Sequence, residues 1–108
     1  MMKRIGETVM IRPEGLERYA QYHAAPPPGV NEMLKACNIR NYSIFQRGEL
    51  MFAYYEYVGE DFAADMKRLE NDPVSQQWET LVRPLMKPFA DRKDGEFWAG
   101  MNELYHLD

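Results

Sequence analysis

The chain has 108 residues, enough for a single compact domain over positions 1–108 with little interior to spare. Its net charge of −4 comes from acidic and basic residues mixed along the chain, and no basic stripe stands out to bind nucleic acid. No apolar run approaches the ~20 residues of a membrane span, and "MMKRIGETVMI" holds no signal-peptide core, so a cytoplasmic protein with no membrane partner is expected.

Residues 3–11 alternate, with Ile5, Glu7, Val9 and Ile11 on one side and Gly6, Thr8 and Met10 on the other, which predicts a strand. "RPEG" breaks it. Leu16, Tyr19, Ala20 and His23 then share one helical face, and prolines 26–28 end that helix by clashing with the preceding turn. A second short helix carries Val30, Met33, Leu34 and Cys37 in register, which makes the lone cysteine a buried, inert thiol rather than a nucleophile.

"IRNYSIFQ", "RGE" and "LMFAYYEYV" read as two aromatic and β-branched strands around a short glycine turn, a β-hairpin. Helical spacing returns at Phe62, Met66 and Leu69. A further helix starts at "NDPVSQQW", with Asp72 as N-cap and Pro73 at its first position, and its inner stripe is Val74, Trp78, Leu81 and Leu85. "KPFADRKDGEFWAG" reads as a long loop, and "MNELYHLD" as a closing strand. Strand, broken helix, strand, strand, broken helix, strand is the split βαβ order of an α+β, ferredoxin-like βαββαβ fold. Its helices cover one face of an antiparallel sheet, and a second copy of the chain is the economical cover for the other.

His23 lies one i,i+4 step after Tyr19 on the inward face, which makes it a proton-transfer candidate. Two structural readings compete: a histidine bonded to a backbone carbonyl, and a cation favoured at a helix C-terminus. Tyr42 alternates with Ile44, and Trp78 shares the stripe of Val74 and Leu81; by pattern alone both belong to packing. Glu79 falls at the edge of that stripe, where a solvated carboxylate is the default. Neither His23 nor His106 stands in a metal-ligand spacing, and GxGxxG, GxxxxGK[ST] and GxSxG are absent from the sequence, so neither metal nor cofactor is expected.

The ordered set "ERYAQYH", "NYSIF", "LMFAYYEY", "DPVSQQW" and "ELYHLD" resembles the L-rhamnose mutarotase family along essentially the whole chain. The resemblance implies a small dimeric ferredoxin-like protein, a dimeric α/β barrel, that interconverts the α and β anomers of a free monosaccharide, L-rhamnose or a related 6-deoxy sugar. It also implies site roles: His23 as the proton donor, Tyr19 and Tyr42 as sugar-contacting tyrosines, and Trp78 as the first of a tryptophan pair on the sugar. Two positions depart from the rhamnose-specific pattern. The segment after the histidine, roughly H-x-P-x-W-P there, is "HAAPPPGV" here, and Glu79 replaces the second tryptophan. Glu79 thins an apolar wall suited to a sugar methyl group and offers instead a hydroxyl ligand or a proton partner. Glu79, Tyr42 and water remain open as the general base. Two rival readings are a haem- or quinol-type dimeric α/β-barrel monooxygenase and a non-catalytic sugar-binding dimer module.

Overall fold

The computed structural model describes residues 2–108. Strand β1 (Lys3–Ile11) is followed by a single 3-10 turn, helix α1 (Leu16–Ala24) and helix α2 (Val30–Ala36). Strands β2 (Ile39–Arg47) and β3 (Leu50–Tyr57) form the hairpin, and α3 (Phe62–Glu70) and α4 (Pro73–Val82) form the second broken helix. Two short strands, β4 (Met86–Lys87) and β5 (Ala99–Met101), complete an antiparallel sheet of order β2-β3-β1-β4, in which β5 also pairs with β1.

The expected signals at Asp72, the proline run and the glycine turn act as read, and Asp61 supplies a further cap. The Asp72 carboxylate accepts the Ser75 N–H at 2.9 Å and the Asp61 carboxylate accepts that of Ala64 at 3.1 Å, so α4 and α3 each begin on an acidic cap worth about 1 kcal/mol. Helix α1 stops at Ala24, immediately before the proline run. At the hairpin tip Gly48 takes φ +59°, a conformation that a Cβ would strain.

Every helix packs against the same side of the sheet. Val9, Ile11 and Met51 there are at most 1% exposed, and they join Tyr19, Val82 and Met86 in one core cluster. Ile39, Tyr55 and Tyr57 form a second cluster against Leu34, Phe62 and Met66. Cys37 is fully buried with a free thiol, as its register required.

The parity of β2 changes along its length. Ile39 and Ile44 both belong to the helix-facing side, although they lie an odd five positions apart. A bulge reconciles the two: Arg40 pairs with Glu56 and Ser43 with Tyr54, so β2 carries one extra residue. Asn41 sits in the bulge at φ +53° and donates its side-chain N–H to Glu56 Oε1 at 2.6 Å. Beyond it Tyr42, Ile44 and Gln46 turn inward.

The C-terminal segment departs from expectation. The last strand is only Ala99–Met101, and residues 102–108 leave the sheet. The edge of β1 is shared by two short strands, β4 against Met10 and Ile11 and β5 against Gly6 to Thr8. Past Met101 the register survives only through side chains, where Arg4 clasps Glu103 with two bonds of 2.9 Å. Leu104, Tyr105 and Leu107 are then 94%, 79% and 76% exposed, so the alternation of "ELYHL" finds no partner strand within the described residues.

Candidate active site

Between the sheet and the helices, where the two core clusters meet, lies an open cavity of about 600 Å³. That is within the ~300–1,000 Å³ range of small-molecule sites. All five residues singled out in the sequence border it: Tyr19 and His23 from α1, Tyr42 from β2, and Trp78 and Glu79 from α4. The amphipathic spacing of α1 aims the first two, and the β2 bulge aims the third. Without the extra residue, Tyr42 would stand on the far side of the sheet with Tyr54.

His23 sits at the rim, exposed on one side. Its ring lies 4.2 Å from that of Tyr19 and 5.0 Å from that of Trp78, the latter edge-on. Nδ1 is 2.8 Å from the carbonyl oxygen of Tyr19. A carbonyl can only accept, so Nδ1 carries the proton and Nε2 holds a lone pair in the neutral ring. The structural reading of this histidine is thus realised at Nδ1, while Nε2 has no protein hydrogen-bond partner among the described residues. Surrounding protein mass disfavours the imidazolium and lowers the pKa from 6.5, against a smaller opposing effect of the carbonyl bond. The bond comes from the Tyr19 backbone, which leaves its phenol for other work.

Tyr42 stacks on Tyr55 with centroids 5.1 Å apart and planes 15° from parallel. It keeps 38% of its surface accessible because it walls the cavity, yet its hydroxyl is enclosed deeply enough that desolvation pushes its pKa well above 10. Burial likewise pushes up the pKa values of Tyr19 and Tyr55. All three are neutral hydroxyls at any physiological pH, and no protein side chain bonds them among the described residues. Trp78 presents its ring beside His23 and packs against the core. Glu79 lies at the cavity mouth with its side chain 44% exposed, its Oε2 held at 2.7 Å by the Arg83 guanidinium, which in turn lies over the Phe97 ring.

Three cavity residues escape a reading of motifs. Tyr55 shares a strand face with the core and stacks beneath Tyr42. Trp98 is returned to the cavity by the end of the long 88–98 connection, which also packs Phe97 and Trp98 on the core. Glu7 is the third: a carboxylate on the otherwise apolar side of β1, a pattern visible in the alternation itself. Its pKa rises from 4.5 to about 7, first through desolvation and then through the negative charges of Glu96 and Glu79. Among the described residues no group of three or more His, Cys, Asp or Glu side chains is placed to hold a metal ion. No helix among them is long and apolar enough to cross a membrane.

Comparison with known proteins gives a consistent result. The family model of L-rhamnose mutarotase matches residues 4–107. An L-rhamnose mutarotase of Listeria monocytogenes serotype 4b is 35% identical over 108 residues, covering 98% of this chain and 99% of that protein. A UPF0734 protein of Dictyostelium discoideum is 33% identical over 101 residues, covering 88% of this chain and 80% of its own length. Among solved structures, an L-rhamnose mutarotase of Formosa agariphila superposes with a TM-score of 0.77 at 18% identity, covering 98% and 99% of the two chains. The tetracenomycin F2 cyclase of Streptomyces glaucescens superposes with 0.75 at 15% identity, covering 98% and 97%. At these identities the two structures speak for the ferredoxin-like fold alone.

Proposed function

The chain belongs to the L-rhamnose mutarotase family, and from that premise we propose that its cavity takes a free monosaccharide, L-rhamnose or a related 6-deoxy sugar, and interconverts its α and β anomers. The observation that carries this reading is the convergence on one cavity of a histidine with a fixed tautomer, neutral tyrosine hydroxyls and a tryptophan ring. Mutarotation needs one proton delivered to the ring oxygen and one removed from the anomeric hydroxyl, and closure reverses both. General acid–base assistance of this kind contributes about 10²–10⁴-fold. It needs no redox partner and no covalent intermediate.

In this reading His23 moves a proton through Nε2. Tyr19 and Tyr42 bind sugar hydroxyls through phenols that no side chain among the described residues occupies, and Trp78 offers an apolar ring to the sugar's C–H groups. Glu79, steered by Arg83, binds a hydroxyl at the mouth, where the family's second tryptophan would stand. The protein is further proposed to be cytoplasmic and to work as a homodimer of the single domain 1–108. Support for the dimer is the helix-free face of the sheet, where Phe45, Leu50 and Met101 are 63%, 48% and 51% exposed, beside the apolar tail. A clean monomer by gel filtration with light scattering overturns that state.

Saturation transfer between the anomeric proton signals of L-rhamnose, with L-fucose and D-sugars alongside, tests the activity directly. Exchange well above the buffer rate is expected with L-rhamnose. Exchange with another sugar alone moves specificity to Glu79 and the proline segment. Absence of exchange with every sugar overturns the mutarotase assignment and returns the monooxygenase and binding-module readings, which family membership does not favour.

A further inference from the structure

We propose that Glu7 is the second proton-transfer group of this site, delivering a proton to the ring oxygen while His23 removes one from the anomeric hydroxyl. The inference rests on the mutarotase reading above and supplies the partner that His23 lacks in it.

Position comes first. Glu7 stands on the helix-facing side of β1, between Ala53 of β3 and Gly100 of β5 in the register. Both cross-strand neighbours are too small to cover it, so the carboxyl opens into the cavity that His23 borders from above. Its neighbours elsewhere on that strand face, Val9 and Ile11, are sealed in the core. A carboxyl among them carries a desolvation cost that no internal bond offsets, because no protein group bonds its side chain among the described residues.

The other acids near Glu7, Glu79 at the cavity and Glu96 on the loop beside it, are otherwise engaged. Glu79 is held by Arg83 at 2.7 Å. Glu96 accepts the backbone N–H of Lys93 at 2.9 Å and that of Gly100 at 3.2 Å. Tyr19, Tyr42 and Tyr55 are hydroxyls that burial keeps from ionising, so none serves as a base near neutrality. Glu7 is left as the unoccupied titratable group facing the sugar from the sheet.

The chemical environment then divides the labour. The ionisable groups around Glu7 are Tyr55 on β3, Tyr42 on β2, Tyr19 and His23 on α1, Glu79 on α4 with its Arg83 partner, and Glu96 on the loop. The two carboxylates among them repel a charge on Glu7, whereas burial repels one on His23. Near neutrality the single proton of the pair therefore rests on Glu7, and Nε2 of His23 is free to accept. Ring opening transfers the Glu7 proton to the ring oxygen as the bond from that oxygen to the anomeric carbon breaks. The anomeric O–H proton passes to Nε2 as the carbonyl forms. Closure on the other face returns both protons, so neither group is consumed. His23 is then acceptor on opening and donor on closure.

The test is anomer exchange by Glu7→Gln and Glu7→Asp beside the wild-type protein, across pH 5–9, with sugar binding followed by Trp fluorescence. The expected result is a loss of at least ~100-fold in Glu7→Gln with binding retained, and partial recovery in Glu7→Asp. The alkaline limb of the wild-type profile, near pH 7, should vanish in Glu7→Gln. Wild-type exchange with Glu7→Gln within ~3-fold and an unchanged alkaline limb overturns the role of Glu7 and leaves the mutarotase assignment standing. A wild-type protein inactive on every sugar overturns both. Should Glu7→Gln fail to fold, ¹³C titration of the wild-type Glu7 carboxyl decides. Bound sugar must displace that titration, and an undisplaced curve overturns the proposal.

Discussion

Tyr55 and Tyr57 are neighbours on one face of one strand, both buried under helices, and they end in opposite chemical situations. The Tyr57 hydroxyl donates to Asp65 Oδ2 at 2.5 Å and accepts the Asp61 N–H at 3.0 Å, and Asp65 also holds Asn38 at 2.9 Å. Gly59 passes so close that a Cβ there would lie 2.4 Å from the Tyr57 oxygen and 2.7 Å from the Asn38 amide. The Tyr57 hydroxyl is thus occupied by protein both as donor and as acceptor. Two residues away Tyr55 supports Tyr42 beside Tyr19, and no protein side chain answers these hydroxyls among the described residues. Burial alone therefore does not separate a structural tyrosine from a ligand-binding one. What differs is whether the fold has already filled the hydroxyl's bonding capacity, since a group left open toward a cavity is available to a molecule that enters it.

The contrast breaks most visibly at the bases and acids of the open end. His23→Asn should lower the anomer-exchange rate by ~10²–10⁴-fold with circular dichroism and melting temperature unchanged. Retained wild-type rates would remove His23 from the chemistry. The next largest effect is on stability. Glu7 titrates at about 7 in the folded chain and near 4.5 when unfolded. Below pH 4.5 it is protonated in both states and contributes nothing. As pH rises from 4.5 to 7 the unfolded chain releases this proton first, so stability falls, and above 7 the full penalty, on the order of 3 kcal/mol, persists. Denaturant titration of Glu7→Gln should thus show a gain over wild type that is absent at pH 4 and largest at pH 8.

The tyrosines sharpen the same comparison. Tyr57→Phe strands the Asp61 N–H and half of the Asp65 bonding, and should cost about 1–3 kcal/mol of stability while leaving kcat and KM of the folded protein unchanged. Tyr42→Phe should do the reverse, with a melting temperature within about 2 °C of wild type and KM raised roughly 5- to 10-fold, the weight of about one hydrogen bond to the sugar. Equal effects of the two substitutions on stability would erase the distinction drawn between the two ends.

Much of this was readable from local pattern. The i,i+4 spacing of Tyr19 and His23 follows from helix geometry, and the proline run that ends α1 acts within a few residues, so both survive any tertiary arrangement. The acidic caps at Asp61 and Asp72 and the glycine turn at Gly48 are equally local. The ordered motifs carried the family, and with it the roles proposed for Tyr42 and Trp78, which spacing alone left to packing, and for Glu79, which spacing left as a solvated carboxylate. Glu7 was visible as a carboxylate among Ile5, Val9 and Ile11, but a strand pattern cannot say whether such a residue meets a partner or an opening.

By itself, then, the sequence determined the element types, the inward face of α1 and the family, because these depend on contacts a few residues long or on whole-chain likeness. Tertiary structure alone decided that β1 would share one edge between two short strands, so that the closing strand falls at Ala99–Met101, mostly in the expected loop, and not over the predicted 101–108. It decided that Ala53 and Gly100 would flank Glu7 and leave it uncovered, and that a long loop would bring Trp98 to the cavity. Whereas the Arg83–Glu79 pair is a local i,i+4 contact, tertiary structure also decided that no group among the described residues would take Glu7. These are pairings between residues up to some ninety positions apart, set by which surfaces the folded chain presses together, and no window along the sequence contains both partners.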